Sequence, residues 1–392
     1  MNHLNLFLTK EIQDFINENI NSNISDLALQ KHNFKTIGYS QIINQIVAKQ
    51  KAKDKLPTWF TTEHIIYPPK VSIEQTSSER AAKYKSSIIE GENLIDLSGG
   101  FGIDDYYFSS VFKNVIHCEI NEELSSIVSH NYKQLKKENI KCIAGESAEI
   151  LKKLNSQFDC IYIDPSRRND KKGKVFLLQD CEPNVPDLLS FYYNYTNRIL
   201  IKTAPILDIQ AGLNELHNVK NIHIVAVDNE VKELLWEIEK DYTNDVTLIS
   251  VNLEKENDSI VKTILGKEYS PTFSLPETYL YEPNASLLKS GNFNAISEIF
   301  QFNKLHQHSH LYTSNNKIDF PGRRFKINSI IPFQKKEIKG IINSKMNVTT
   351  RNFPLKVDEI KKKYKIKDGG TVFAFFTTNI ENNKIVLLCS KV

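Results

Sequence analysis

Asn93-Leu94-Ile95-Asp96-Leu97-Ser98-Gly99-Gly100-Phe101-Gly102 decides how this chain is read. An apolar run ends in an acid and passes straight into a glycine-rich turn. Seventeen residues beyond Gly102 a second apolar run, Asn114-Val115-Ile116-His117-Cys118-Glu119, also ends in an acid. Neighbouring parallel strands with a nucleoside-binding crevice at their carboxyl ends have this layout. Glycines at 99, 100 and 102 let the backbone turn tightly and approach a ligand that a Cβ would block. Glu119 stands where a carboxylate accepts both ribose hydroxyls of an adenosine. Each such hydrogen bond to a charged group contributes roughly 1.5–3 kcal/mol.

Dinucleotides and S-adenosylmethionine share this much. The dinucleotide fingerprint is G-x-G-x-x-G, but here Gly100-x-Gly102 is followed by Asp105 where the third glycine belongs. Asp104 and Asp105 open the next helix, the place a pyrophosphate takes, and two carboxylates repel it. They tolerate a sulfonium and an α-amino group, and Asp96 adds a third acid to the same rim. The expected cofactor is therefore S-adenosylmethionine. Complementing the helix dipole explains one of the two acids, but not the missing glycine.

A chain of 392 residues has room for two or three domains. Its 40% hydrophobic and 25% charged residues place it with ordinary globular proteins rather than disordered ones. No apolar run approaches the roughly 20 residues a membrane span needs, so no membrane partner is expected. Met1-Asn2-His3-Leu4 offers no basic segment before an apolar core, which argues against a signal peptide. The five cysteines (118, 142, 160, 181 and 389) contain no C-x-x-C pair. A reduced, cytoplasmic protein without a bound metal is the expectation. Oligomeric state is not encoded in any recognisable pattern.

Charge is unevenly spread. Between Asn316 and Asp368 there are 15 Lys and Arg against 5 Asp and Glu, so the remainder of a chain of net charge +3 is acidic. A basic C-terminal region on an acidic body suggests a polyanion partner. Lys361-Lys362-Lys363 alone could be a solvated helix face. Arg323, Arg324 and Arg351 lie in turn-like, aromatic-flanked contexts that such a face does not explain.

Residues 1–75 read as small helices. Thr9 caps one with Ile12, Phe15, Ile16 and Ile20 on a face, and Ile42, Ile43, Ile46 and Val47 mark another. Leu56-Pro57-Thr58-Trp59-Phe60 and Tyr67-Pro68-Pro69 read as extended linker. Thr76-Ser77-Ser78-Glu79 has the form of a capping box. Apolar strands follow at 93–97, 114–119, 140–143, 158–163, 198–202, 221–227 and 246–252, with helical patterns between most of them, the clearest at 122–138. This alternation predicts a parallel α/β sheet covered on both faces. Beyond Pro271 and Pro276 come helical patterns at 284–290 and 293–301, a strand at His310-Leu311-Tyr312-Thr313, strands at 325–331, 371–377 and 384–389, and a basic helix near 355–363.

The fourth strand ends Ile163-Asp164-Pro165-Ser166-Arg167-Arg168, which puts Asp164 at the edge of the sheet beside the glycine turn. Together the two motifs resemble class I S-adenosylmethionine-dependent methyltransferases. Asp96 to Gly102 is similar to their first motif and Glu119, with Ile120 after it, to their second. Gly145-Glu146-Ser147-Ala148 is similar to the adenine-contacting third, and Asp164-Pro165 to the opening of the fourth. Three further stretches, Tyr279-Leu280-Tyr281-Glu282-Pro283-Asn284-Ala285, Phe320-Pro321-Gly322-Arg323-Arg324-Phe325 and Thr350-Arg351-Asn352-Phe353-Pro354, resemble signatures of the bacterial THUMP-like class I methyltransferases. The resemblance runs from about Gln75 to the end. It implies an α/β fold: a seven-stranded Rossmann-like class I methyltransferase domain at 76–270, after an N-terminal helical region at 1–75. Small α+β domains would follow, a ferredoxin-like segment at 271–315 and a basic THUMP-like domain at 316–392. It implies S-adenosylmethionine held by Asp96, Ser98, Gly99, Gly100, Gly102, Glu119, Ile120, Glu146, Ser147, Asp164 and Pro165. THUMP relatedness implies RNA, tRNA or rRNA, only by analogy.

One departure matters. Nucleic-acid amino-methyltransferases carry Asp/Asn-Pro-Pro-aromatic at the fourth motif, where the ring stacks on a flipped base. Here Arg167 takes the aromatic place; a guanidinium stacks on a base or binds phosphate. Asp164 and Arg167 are the expected catalytic pair, with a ring nitrogen or ring carbon open as target beside an amino group. A helix cap or an ion pair to Arg168 is the structural alternative for Asp164. Cys160 and Cys181 have no motif that supports a nucleophile. Lys202, at the end of the fifth strand, lines the substrate side of the cleft or is a surface lysine. His306, His308 and His310 alternate without accompanying acids, which gives no metal pattern. Arg323, Arg324, Arg351, Lys361 and Lys362 are the expected RNA contacts. The alternatives are a non-catalytic RNA-binding or assembly factor on the same fold, and a methyltransferase acting on protein or a small molecule.

Overall fold

A computed structural model describes residues 6–30, 32, 34, 37–68, 70–167 and 177–392, with backbone alone at 70–72 and 167. The chain divides into two compact units, residues 1–220 with 234–244, and residues 221–233 with 245–392.

The first unit opens with helices α1 (Lys10–Glu18), α2 (Ile24–Leu29), α3 (Tyr39–Lys55), α4 (Pro57–Thr61), α5 (Lys70–Gln75) and α6 (Glu79–Ile88). Ile12, Ile16, Ile42 and Ile46 bury the stripes read from the sequence. The linker expected at 56–60 is instead α4, because Pro57 occupies the first helical position, where its missing N–H is no loss. The capping box expected at 76–79 is also different. Ser78 caps α6 by accepting from Ala81 N, and Glu79 accepts from Thr58 and the Tyr107 hydroxyl instead.

Alternating strands and helices follow: β1 (Gly91–Asp96), α7 (Ile103–Phe108), β2 (Phe112–Glu119), α8 (Glu122–Gln134), β3 (Ile140–Ala144), α9 (Ser147–Leu154) and β4 (Cys160–Ile163). A two-residue pair, β5 (Ser166–Arg167) with β6 (Cys181–Glu182), precedes α10 (Val185–Tyr192), β7 (Arg198–Thr203) and α11 (Ile209–Glu215). Strands β2 and β4 flank β1 in parallel, β3 lies outside β2, and β7 outside β4. The order reverses at β1, so the turn after it opens at a topological switch point. Apolar residues of the N-terminal helices share one core with Phe101, Tyr107, Val128 and Tyr132 of the turn, α7 and α8. Trp59 packs against Phe101 and edge-on against Tyr106. The Asn131 side chain bonds both the N–H and the carbonyl of Ile66 (2.9 and 2.8 Å), which fixes the extended segment at 65–68 to α8.

Strands β8 (Val219–Val227) and β9 (Glu230–Glu239) cross the division. Residues 234–239 of β9 pair antiparallel with β7 in the first unit. In the second, β10 (Thr247–Leu253) pairs parallel with β8 and antiparallel with β11 (Ser259–Ile264). Among the described residues, nine strands of four residues or more thus lie between 91 and 264, where seven were expected. Two of them, β9 and β11, were not read as strands. In β9, Glu-Val-Lys-Glu-Leu-Leu-Trp-Glu-Ile-Glu carries too many acids for ordinary strand composition.

The second unit continues with β12 (Thr272–Phe273), β13 (Tyr279–Pro283), α12 (Ala285–Ser290), α13 (Phe293–Phe300), β14 (Asn303–Lys304), β15 (Tyr312–Ser314), β16 (Gly322–Pro332), β17 (Asn347–Arg351), α14 (Val357–Tyr364), β18 (Val372–Thr378) and β19 (Lys384–Lys391). These strands form an eight-stranded sheet in the order β12-β14-β15-β13-β16-β19-β18-β17. No helix among the described residues is long and apolar enough to cross a membrane.

Candidate active site

The glycine turn is shaped from below. A Cβ on Gly99 would lie 2.1 Å from the His117 ring, and one on Gly102, at φ +77°, would lie 2.1 Å from the Tyr132 hydroxyl. Tyr132 donates to the Gly102 carbonyl, and Gly99 N donates to the Cys118 carbonyl. Packing against the protein's own rings therefore demands these two glycines. Of the three, Gly100 alone has room for a Cβ, which would meet nothing closer than the Ser98 carbonyl at 3.8 Å.

Asp104 and Asp105 do not sit on the rim. Both are buried behind the turn, and the expected repulsion of a pyrophosphate does not come from them. Lys85, fully buried, lies 3.2 Å from Asp104 Oδ1, while Tyr162 and Ser77 donate to Oδ2 at 2.7 and 3.0 Å. Burial alone would raise the Asp104 pKa, yet Lys85 and Lys202 hold it below the ordinary value. Asp105 meets His117 Nδ1 at 2.7 Å with both side chains inaccessible. Burial, and then Asp104, pushes the Asp105 carboxyl well above its usual range, and burial with Asp105 does the same to Asp96. Burial also lowers the His117 pKa, against the pull of Asp96 and Glu119. The first helical turn thus carries a buried polar cluster in which Lys85 faces Asp104 and His117 faces Asp105, while Asp105 Oδ1 and His117 Nε2 have no hydrogen-bond partner.

From this cluster a short relay reaches the cleft. Asp96 Oδ1 accepts from Ser98 N and Oγ (2.7 and 3.0 Å), and Ser98 Oγ accepts from Asp164 N at 2.6 Å. The Asp164 carboxylate is partly exposed and paired with Lys202, which is almost buried. Lys202 is therefore no surface lysine. Pro165 behind it is buried. The side chain of Arg167 is not among those described, and Arg168 lies outside the described residues.

Glu119 closes the other side. Its two oxygens accept from Gly100 N (3.0 Å) and Asn121 N (2.8 Å), so it ties the turn to the start of α8. A carboxylate has about four acceptor positions, and two remain free of these bonds. Ile120 is 73% exposed, an apolar face beside that carboxylate. Glu146 caps α9 by accepting from Ala148 N and Glu149 N, and Ser147 is the first residue of that helix.

In the second unit the expected RNA contacts are mostly paired. Glu282, buried, accepts from both Arg323 and Arg351. Arg324 pairs with Asp319 and Lys361 with Asp368. Lys326, Lys335, Lys336, Lys339 and Lys362 are exposed, and among the described residues none has a carboxylate within ion-pair distance. The free positive charge thus lies on lysines rather than on the arginines. Among the described residues no group of three or more His, Cys, Asp or Glu could hold a metal ion.

Residues 279–321 match a ferredoxin-like domain family, and residues 322–391 a THUMP domain-like family. A crystal structure of a candidate methyltransferase from Porphyromonas gingivalis W83 is 30% identical, covering 97% of this chain and 98% of that one at a TM-score of 0.86. An rRNA methylase from Streptococcus thermophilus matches 41% of this chain and 94% of its own at 14% identity and a TM-score of 0.29. The TrmK protein of M. capricolum, solved with S-adenosylhomocysteine, matches 41% and 68% at 16% identity and a TM-score of 0.32. Comparison with curated proteins gave no match.

Proposed function

We propose that this chain, which belongs to the bacterial THUMP-like class I methyltransferase family, transfers a methyl group from S-adenosylmethionine to a nucleoside in structured RNA, tRNA or rRNA, in the cytoplasm. The observation that carries the reading is the convergence of Glu119, Ile120, the open side of Gly100 and the Asp164–Lys202 pair around one strand switch point. The residues fit the cofactor. Glu119 has acceptor capacity left for ribose hydroxyls, Ile120 offers an apolar face for adenine, and Ser98 to Gly102 supplies backbone for the methionine end. Glu146, already used as a helix cap, and Ser147 would border the adenine.

The bound cofactor supplies a methyl group activated by its sulfonium charge. What remains for the protein is alignment of the acceptor for in-line attack. Asp164, held by Lys202 and by its backbone bond to Ser98, would accept a hydrogen bond or a proton from the target nitrogen. Arg167, beyond Pro165, would stack on the base or hold its phosphate. The exposed lysines at 326, 335, 336, 339 and 362 would grip the RNA backbone, supported by the Arg323–Glu282–Arg351 cluster.

Mass spectrometry of tRNA and rRNA nucleosides, from cells with and without this gene, tests the reading. It predicts the loss of one methylated nucleoside, restored by the intact gene and not by an Asp164→Ala copy. Unchanged nucleosides would reject RNA as the substrate and leave a protein or small-molecule acceptor.

A further inference from the structure

Lys304 is 2% exposed, at the end of β14. Its ammonium donates to Asn294 Oδ1 at 2.8 Å and to the Gln307 carbonyl at 3.4 Å, and it lies over the Phe273 ring. All three partners are neutral. Among the described residues no carboxylate pairs with it, and burial lowers its pKa with no acid opposing. A buried charge is normally paired, so this one lacks its counter-ion.

Beside it stands His310, in left-handed backbone at φ +51° and stacked on Phe293 with centroids 3.5 Å apart. Its Nδ1 is buried without a partner. Burial, then Lys304, Arg351 and His308, lower its pKa to about 4. The three charges that act on it are all positive. Arg351 itself carries a buried Nε without a partner.

Lys304 and His310 border a cavity of about 660 Å³ lined also by His308 and Asn294, with Lys267 and Glu268 cancelling one another in charge. Its size is that of a site for a small organic ligand. Glu268 apart, the lining offers donors: the Lys304 ammonium, the Asn294 amide N–H groups, the Tyr269 and Ser270 hydroxyls and, in one tautomer, His310 Nδ1–H. A ligand that only accepts, and brings negative charge, satisfies all of them. A phosphate alone would leave most of the volume empty.

We propose that the ferredoxin-like region holds a binding pocket for a phosphate monoester of nucleotide size, whose phosphate is the counter-ion of Lys304 and the partner of His310. The monoester is either a free mononucleotide or the phosphorylated end of an RNA strand. Calorimetry of the full chain with inorganic phosphate, with AMP, and with an oligoribonucleotide bearing a 5′-phosphate or a 5′-hydroxyl separates the sources. AMP binding with no preference between the oligonucleotides assigns the pocket to a free nucleotide, whereas preference for the 5′-phosphate assigns it to an RNA end. Lys304→Met and His310→Gln should each weaken binding at least tenfold, with circular dichroism and melting confirming the fold. In the wild type, phosphate or AMP should raise the His310 titration midpoint in NMR by cancelling the surrounding positive field. Absence of binding by any phosphate probe at millimolar concentration, equal affinity in Lys304→Met, or an unmoved His310 midpoint under saturating ligand would overturn the proposal.

Discussion

Among the described residues, Lys85 and Lys304 are the most deeply buried lysines, and they are kept there by opposite means. Lys85 sits under the glycine turn against Asp104 and Ser77, beside the Asp105–His117 pair and the Tyr162 hydroxyl, so its charge meets a carboxylate within the fold. Lys304 meets only neutral oxygens and an aromatic ring, beside a cavity. The difference separates a charge that belongs to the fold from a charge that waits for a ligand. The first region holds a turn in shape for a cofactor; the second contributes its charge only when something anionic arrives.

Deleting each ammonium separates the two lysines most sharply. Lys85→Met leaves Asp104 buried without its cation and should cost about 3–5 kcal/mol of unfolding free energy. Lys304→Met removes an uncompensated charge and should leave stability unchanged or raise it. Urea unfolding of both variants decides. Equal losses would mean that Lys304 is also paired within the fold.

A smaller loss is expected from the turn. Gly99→Ala drives a methyl group into the His117 ring, an overpacking cost of about 1–3 kcal/mol. Gly100→Ala meets no side chain, though its φ of +56° adds a backbone penalty. Thermal melts with Gly100→Ala as the more destabilised variant would contradict this.

The two regions also predict opposite pH dependence. Asp96 and Asp105 titrate above their usual range, so the folded state holds protons that the unfolded chain releases. Their contribution to stability is present below about pH 3.8 and is lost as pH rises through their raised values. His310 is lowered from 6.5 to about 4, so its contribution is present above pH 6.5 and is lost as pH falls towards 4. Asp96→Asn should flatten the first slope and His310→Gln the second, as read from unfolding free energy against pH.

The smallest effect concerns the basic region. If exposed lysines carry the phosphate contacts, Lys335→Ala with Lys336→Ala should weaken RNA binding and reduce the salt slope by about two. Arg323→Ala should act on stability instead, because it strips a cation from buried Glu282. Filter binding at several salt concentrations, with melting curves, distinguishes them.

What the sequence made legible was local. The turn from Asp96 to Gly102, the acid ending β2, the helical pattern that became α8 and the alternation of strands with helices each declare themselves within a dozen residues or so. What it hid was distance. Lys85 and Tyr162 reach Asp104 from 19 and 58 residues away, and nothing in Asp104-Asp105 announces that both acids point inward. Lys202 was an ambiguous lysine until the fold set it against Asp164. The motifs around Glu282, Arg323 and Arg351 stood out, but their union around one carboxylate spans 41 and 69 positions. The acid-rich β9 was missed because its pairing partners, rather than its own composition, make it a strand.

S-adenosylmethionine is expected to bind at the glycine turn through Glu119. Calorimetry of the full chain with S-adenosylmethionine, wild type against Glu119→Ala, tests it most directly. Saturable binding by the wild type is expected, with a loss of about tenfold or more in the variant, the worth of one or two hydrogen bonds to a charged group. No binding by the wild type, or undiminished binding by Glu119→Ala, would contradict it.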